Sequence, residues 1–205
     1  MFRIIAIFLL FHLINPLYAA EQDSTAQTVQ QETAAKIVQE VCQHCHGLEG
    51  EASNVLYPRL AGQHNKYIVK QLHDFRSGKR KGTMNDMAAA LKDDEIIALA
   101  AYFSSKPALA HRVRNKEFAQ VGWYIFHRGN EYSGVPACAS CHGENGEGSD
   151  ALPRLAGQHK RYVADQLNLF HKRERNNDNA IMHSVASKLT EMEIEAVSNY
   201  VSGLK

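Results

Sequence analysis

The sequence has no charge bias. Its 23 Lys and Arg are met by 22 Asp and Glu, and Arg3 is the sole charged residue of the first 20, so residues 21–205 carry a formal net charge of zero. No basic stripe tracks a phosphate backbone, which excludes nucleic acid as the partner. Divided after Lys106, neither part has the excess of one sign that steers an oppositely charged partner. Also missing is an apolar run of the 20 or so residues that span a bilayer. The stretch from Ile4 to Leu17 is shorter, follows Arg3 and leads to Ala19-Ala20, the layout of a secretory leader over residues 1–20. No segment sustains a period of two, so the chain reads as all-α. Finally, there is no cysteine beyond four.

Those four are spent on one stretch that occurs twice, Cys42-Gln-His-Cys45-His46 and Cys138-Ala-Ser-Cys141-His142. Cys-x-x-Cys-His is the form of covalent haem attachment: two thiols add to the porphyrin vinyl groups and the adjoining His takes the proximal face of the iron. A zinc ribbon would hold its two pairs much closer in sequence, and disulfide or thioredoxin-like pairs would leave His46 and His142 without a task. The expected cofactors are two covalently bound haem c groups. Such attachment takes place outside the cytoplasmic membrane, in keeping with the leader.

An internal repeat sets the domain organisation. Pro58-Arg59-Leu60-Ala61-Gly62-Gln63-His64 recurs unchanged at Pro153 to His159. Tyr67, Gln71, Leu72 and Phe75 match Tyr162, Gln166, Leu167 and Phe170, and Ile96, Leu99 and Tyr102 match Ile194, Val197 and Tyr200. With Pro107 to His111 as linker, the expected units are residues 21–106 and 107–205. Helices are expected from Thr33 to Cys42 and Lys116 to Phe126, then from Tyr67 to Phe75, with Gly78 as a stop, and from Tyr162 to Phe170. Thr190 and Glu193 form a capping box for the last helix, where the first copy has Lys92 and Glu95. Each half is small for an apolar core of its own, so the repeated aromatic and aliphatic positions are expected to surround a porphyrin.

The repeat also selects the second axial ligand. Met84 precedes Leu91 by seven residues and Met182 precedes Leu189 by seven, whereas Met87 is matched by Val185. Met84 and Met182 are the expected ligands, and Met87 is expected to fill core space. His64 and His159, also equivalent, are the rivals and would give bis-His iron. Pro58 and Pro153 follow the proximal histidines by 12 and 11 residues, and their carbonyls could hold the imidazole Nδ1 protons. Arg59 and Arg154 could pair with haem carboxylates. Arg76, Lys79, Arg80 and Lys81, and Lys172, Arg173 and Arg175, gather before the two methionines. They read as solvated charge, with a docking rim for an acidic partner as the alternative.

With these motifs, the Met84-x-x-Met87 element, Ile181-Met182 and Ala100-Ala101-Tyr102-Phe103-Ser104, nearly all of the chain after the leader resembles the dihaem cytochrome c4 family. The loop from Phe75 to Met84 is shorter than that pattern. The resemblance implies two tandem class I cytochrome c domains related by pseudo-twofold symmetry, haem carboxylates facing each other across the interface, and Met84 and Met182 as sixth ligands. It implies a periplasmic electron carrier of a respiratory chain, peripherally associated with the membrane, with a quinol-oxidising complex and a terminal oxidase as partners. The alternatives are a cytochrome subunit of a periplasmic dehydrogenase such as a flavocytochrome, and a dihaem peroxidase.

Overall fold

The computed structural model describes residues 28–110, 113 and 115–205; the stretch read as a leader lies outside them. The described residues are helical, with an isolated bridge between Asn130 and Val135 in a turn. In the first half, α1 is helical from 28 to 37, passes through a π turn at Val38–Cys42 and ends in a turn at Gln43–His46. It is followed by α2 (Asn65–Arg76), α3 (Met84–Ala89) and α4 (Asp93–Ser104). The second half has α5 (Lys116–Arg128), α6 (Ala139–His142), α7 (Lys160–His171), α8 (Ile181–Ala186) and α9 (Glu191–Ser202). Among the described residues no helix is long and apolar enough to cross a membrane.

The first helix runs four residues past the expected Cys42 because neither Gly nor Pro interrupts it before Gly47. The extra residue of the π turn is accommodated just where the attachment motif begins. In the second half the helix stops at Arg128, and a Gly-containing turn separates it from Cys138.

Each half has its own apolar cluster. The first is centred on Ala34, Val38, Ile68, Ala98, Leu99, Ala100 and Phe103. The second uses bulkier residues, including Ile125, Phe126, Leu189, Ile194, Val197 and Val201. In the second half α9 packs on both α5 and α7, and in the first α4 packs on α2. The crossing of α5 and α9 is close enough that a Cβ at Gly122 would lie 2.1 Å from Ala196 O. The last helix begins with the expected capping box: Thr190 Oγ1 accepts from Glu193 N–H at 3.2 Å, and the Glu193 carboxylate accepts from Thr190 N–H at 2.8 Å. In α4 the carboxylate half alone exists, Glu95 accepting from Lys92 N–H at 2.8 Å; an ammonium side chain has no lone pair with which to accept.

The repeated heptapeptides face each other across the boundary between the halves. Gln63 accepts from Arg154 N–H at 2.8 Å and donates to Arg154 O at 3.0 Å; Gln158 does the same with Arg59 N–H and Arg59 O, at the same distances. That exchange is what a pseudo-twofold axis requires. The linker is laid over both heptapeptide glycines. Gly62 (φ +68°) and Gly157 (φ +73°) donate to Phe103 O and Val201 O, and a Cβ on either would strike Ala108 Cβ at 2.7 Å or Leu109 O at 1.7 Å.

Candidate haem sites

The attachment cysteines lie on helical turns. Cys42 closes the π turn, and Cys45 and His46 follow within the last turn of α1; Cys138 caps α6, which carries Cys141 and His142. All four thiols are unpaired. Burial pushes Cys42 and Cys138 up to about 11, so both are protonated thiols at neutral pH, and a thioether made from them is equally uncharged. Among the described residues no group of three or more His, Cys, Asp or Glu side chains is gathered to hold a metal ion by itself, as a zinc ribbon would need.

His46 and His142 are buried, 6 % and 7 % exposed. Their Nδ1 atoms lie 2.9 and 3.1 Å from the carbonyl oxygens of Pro58 and Pro153. Proline has no N–H to compete, and its carbonyl is a full acceptor, so Nδ1 carries the proton and Nε2 the lone pair. Burial pushes both imidazoles below their usual range, the proline carbonyls opposing it. Each is therefore a neutral ring with Nε2 ready to ligate. In the first half Tyr57 adds an edge contact to His46, ring centroids 6.2 Å apart.

Met84 and Met182 are half-buried at the starts of α3 and α8. Their approaches are pinned differently. Asn85 Nδ2 donates to Phe75 O and Arg80 O, whereas the Asp178 carboxylate accepts from the N–H groups of Ala180 and Met182. Met87, expected in core space, is 51 % exposed, because α3 turns that position away from α2 and α4. His64 and His159, the rival ligands, are engaged elsewhere: their Nε2 atoms meet Glu147 O at 2.8 Å and Ala52 O at 2.6 Å, each in the opposite half.

Arg59 donates through Nε to Glu51 O at 3.1 Å and through Nη1 to Gly157 O at 2.9 Å. Its equivalent Arg154 makes neither contact, and its Nε is buried without a partner. An orphaned guanidinium N–H wants an acceptor-only group, which fits a haem carboxylate.

The charge runs before the methionines are not uniformly solvated. Lys79, Lys81, Lys172 and Arg173 are exposed, but Arg80 and Arg175 are buried. After α2 and α7 the chain turns back, so that Arg80 N–H reaches Asp74 O and Arg175 N–H reaches Leu169 O. The guanidinium groups then lie over the Phe75 and Phe170 rings, 4.5 and 4.4 Å from the centroids. Each crosses the boundary. Arg80 donates to Tyr162 Oη and Gln166 Oε1, and Arg175 to Tyr67 Oη and Gln71 Oε1. Burial alone would raise the Tyr67 phenol, but Arg175 and then Arg80 beside it more than reverse that and bring it below its usual range. The sequence signal for this cluster is the matched spacing of Tyr, Gln, Phe and Arg in the two copies, hidden inside what looks like surface charge.

Comparison with known proteins bears on the fold and the two attachment motifs. A cytochrome c family profile matches residues 126–205, and one described as cytochrome c oxidase, cbb3-type, subunit III matches residues 29–103. Cytochrome c4 of Thiocapsa roseopersicina is 41% identical over 168 residues, covering 80% of this chain and 87% of that one. A thiosulfate dehydrogenase electron acceptor of Stutzerimonas stutzeri is 35% identical over 189 residues, covering 89% and 88%. The crystal structure of reduced recombinant cytochrome c4 from Pseudomonas stutzeri superposes with a TM-score of 0.80 at 38% identity, covering 85% of this chain and 98% of that one. The paired attachment motifs, the two all-α halves and these likenesses together make the chain a member of the dihaem cytochrome c4 family of electron carriers.

Proposed function

We propose that this dihaem carrier works in the periplasm, after removal of residues 1–20, and moves electrons from a quinol-oxidising complex towards a terminal oxidase. Residues 21–106 and 107–205 are its two units. Cys42 and Cys45, and Cys138 and Cys141, would hold the porphyrins, and His46 with Met84, and His142 with Met182, would ligate the two irons. Pro58 and Pro153 orient the imidazoles, and Arg59 and Arg154 face the carboxylate edges. The observation that carries the reading is the pair of buried, neutral imidazoles, each with Nδ1 tied to a proline carbonyl and each following directly on a pair of free thiols. Haem c would supply an iron that changes valence, and His46 with Met84, and His142 with Met182, as its protein ligands would leave no position for substrate and favour the reduced form.

The test is a ferric absorption spectrum of the holoprotein with its haem count by mass. Two attached haems and the long-wavelength sulfur-to-iron band are expected. Met84→Ala and Met182→Ala should each remove about half of that band, and Met87→Ala none of it. Loss on Met87→Ala with retention on Met84→Ala would reverse the axial assignment in the first half.

A second reading, as the electron-accepting partner of a periplasmic dehydrogenase, is favoured by the relative named a thiosulfate dehydrogenase electron acceptor. Reduction of the purified protein by such an enzyme and its substrate, faster than by a quinol-oxidising complex, would establish it over the first.

A further inference from the structure

Each attachment-motif imidazole begins a hydrogen-bond chain that ends in the opposite half. His46 Nδ1 donates to Pro58 O at 2.9 Å, and the N–H of that same peptide unit, on Arg59, donates to Gln158 Oε1 at 2.8 Å. In the other half His142 Nδ1 donates to Pro153 O at 3.1 Å, and Arg154 N–H donates to Gln63 Oε1 at 2.8 Å. A trans peptide is planar, with its C=O and N–H pointing opposite ways. Both units are trans, so each turns one end to an imidazole and the other to a glutamine across the boundary.

The glutamine amides can sit in one sense only. Gln158 Oε1 also accepts from His159 N–H at 3.0 Å while its Nε2 donates to Arg59 O at 3.0 Å; Gln63 Oε1 accepts from His64 N–H at 3.1 Å while its Nε2 donates to Arg154 O at 3.0 Å. Turning either amide over would set N–H against N–H. Both side chains are buried, as are the imidazoles at the far end, so little water competes for the peptide N–H.

An acceptor at the N–H end of a peptide makes its carbonyl a stronger acceptor, by about 10–30% per bond. The harder that carbonyl pulls on Nδ1–H, the more basic Nε2 becomes and the better it stabilises ferric iron.

We infer that Gln158 and Gln63 are positioning residues that act across the boundary: Gln158, through the Pro58-Arg59 peptide, strengthens the hold on His46 and lowers the potential of the iron that His46 ligates, and Gln63 does the same for His142. The inference rests on the axial roles of His46 and His142 proposed above. Each redox centre is tuned by a side chain that the other half supplies.

The test reads the ring Nδ1–H resonances of the reduced, full-length holoprotein by NMR, beside a redox titration. Gln158→Met, which keeps the volume and removes the amide, should move the His46 N–H upfield, leave His142 in place and raise one of the two midpoint potentials. Gln63→Met should move the His142 N–H and raise the other. Gln158→Glu, which keeps an accepting oxygen, should hold the His46 N–H at or downfield of its wild-type position. A glutamine that moved the imidazole of its own half, or both imidazoles equally, would overturn the relay. So would a Gln158→Glu resonance equal to that of Gln158→Met. Lowered resistance to denaturant with resonances and potentials unmoved would mean a docking contact alone, and overturn it too. Haem counts and ring-current shifts distinguish the failures. Fewer than two haems in the wild type, or an imidazole signal without a haem ring-current shift, defeats the axial reading; two haems and two shifted imidazoles that the glutamine variants leave in place defeat this inference alone.

Discussion

The two halves descend from one pattern and have kept different parts of it. Where the first half turns after α2 with Gly78 (φ +74°), the second uses Arg173 (φ +59°), and the second adds Asn179 and Ala180 in the same left-handed region before Met182. Where the second begins its last helix with Thr190, the first has Lys92. The first half has an alanine-rich cluster and the second one of larger side chains. Arg59 is fastened to two carbonyls, whereas Arg154 is not. Identity has been retained in the attachment motif and where the halves touch, in the heptapeptide and the Tyr-Gln-Phe-Arg cluster. The polar contacts between the halves have kept their residues while the two apolar clusters have come to differ in size.

That contrast can be broken most severely at the linker. Gly157→Ala drives a methyl into Leu109 O and should cost about 3–4 kcal/mol in denaturant unfolding. Gly62→Ala meets a side-chain methyl at Ala108 and should cost less; equal losses would show that the linker is free to move away from both. Next come the reciprocal amides. Gln63→Ala or Gln158→Ala removes two hydrogen bonds across the boundary and one from the N–H of the next residue, His64 or His159, and should cost about 1–3 kcal/mol. In a double-mutant cycle the two should fall short of additivity if one docking event carries both.

Acid should separate the halves further. Burial would raise the Glu193 carboxyl, but Thr190 N–H, Asn130 Nδ2 and the Thr190 hydroxyl more than offset it and hold it below its usual range. A lowered carboxyl stabilises the fold above its unfolded value of about 4.3 and loses that contribution as pH falls through the folded value. Protection of the α9 amides should therefore fall before that of α4 as pH is lowered, because the Asp93 carboxyl at the start of α4, though held low by Arg76, is exposed and its pair screened; Glu193→Gln should flatten this dependence in part, Asp74 acting in the same direction at the interface. The smallest effect expected is at the turn after α7. Arg173→Gly relieves left-handed strain of about 1–2 kcal/mol and gives back part of it as chain entropy, for a net gain of about 0.5–1 kcal/mol in thermal unfolding. A loss instead would mean that the Arg173 side chain makes a contribution of its own.

What the sequence made legible was whatever repeats at short range. Helical periodicity, the capping box at Thr190, the duplicated attachment motif and the heptapeptide gave the all-α class and the two-haem reading. What stayed hidden depends on the other half. Arg80 lies between two exposed lysines, and nothing local marks it as buried, because its acceptors Tyr162 and Gln166 are 82 and 86 positions away. His64 and His159 looked like ligands because a repeated histidine near an iron motif has an obvious use, while their partners are backbone carbonyls, which carry no sequence signature. The exposed Met87 follows from how a six-residue helix is rotated, which two methionines three apart do not determine.

The crossed arginines carry a consequence for the molecule's history. A polypeptide ending at Lys106 would leave Arg80 without Tyr162 and Gln166, and Gln63 without Arg154. The present halves have become mutually obligate: neither could be returned to solitary life as a one-haem protein without rewriting the polar residues that now lie against its twin.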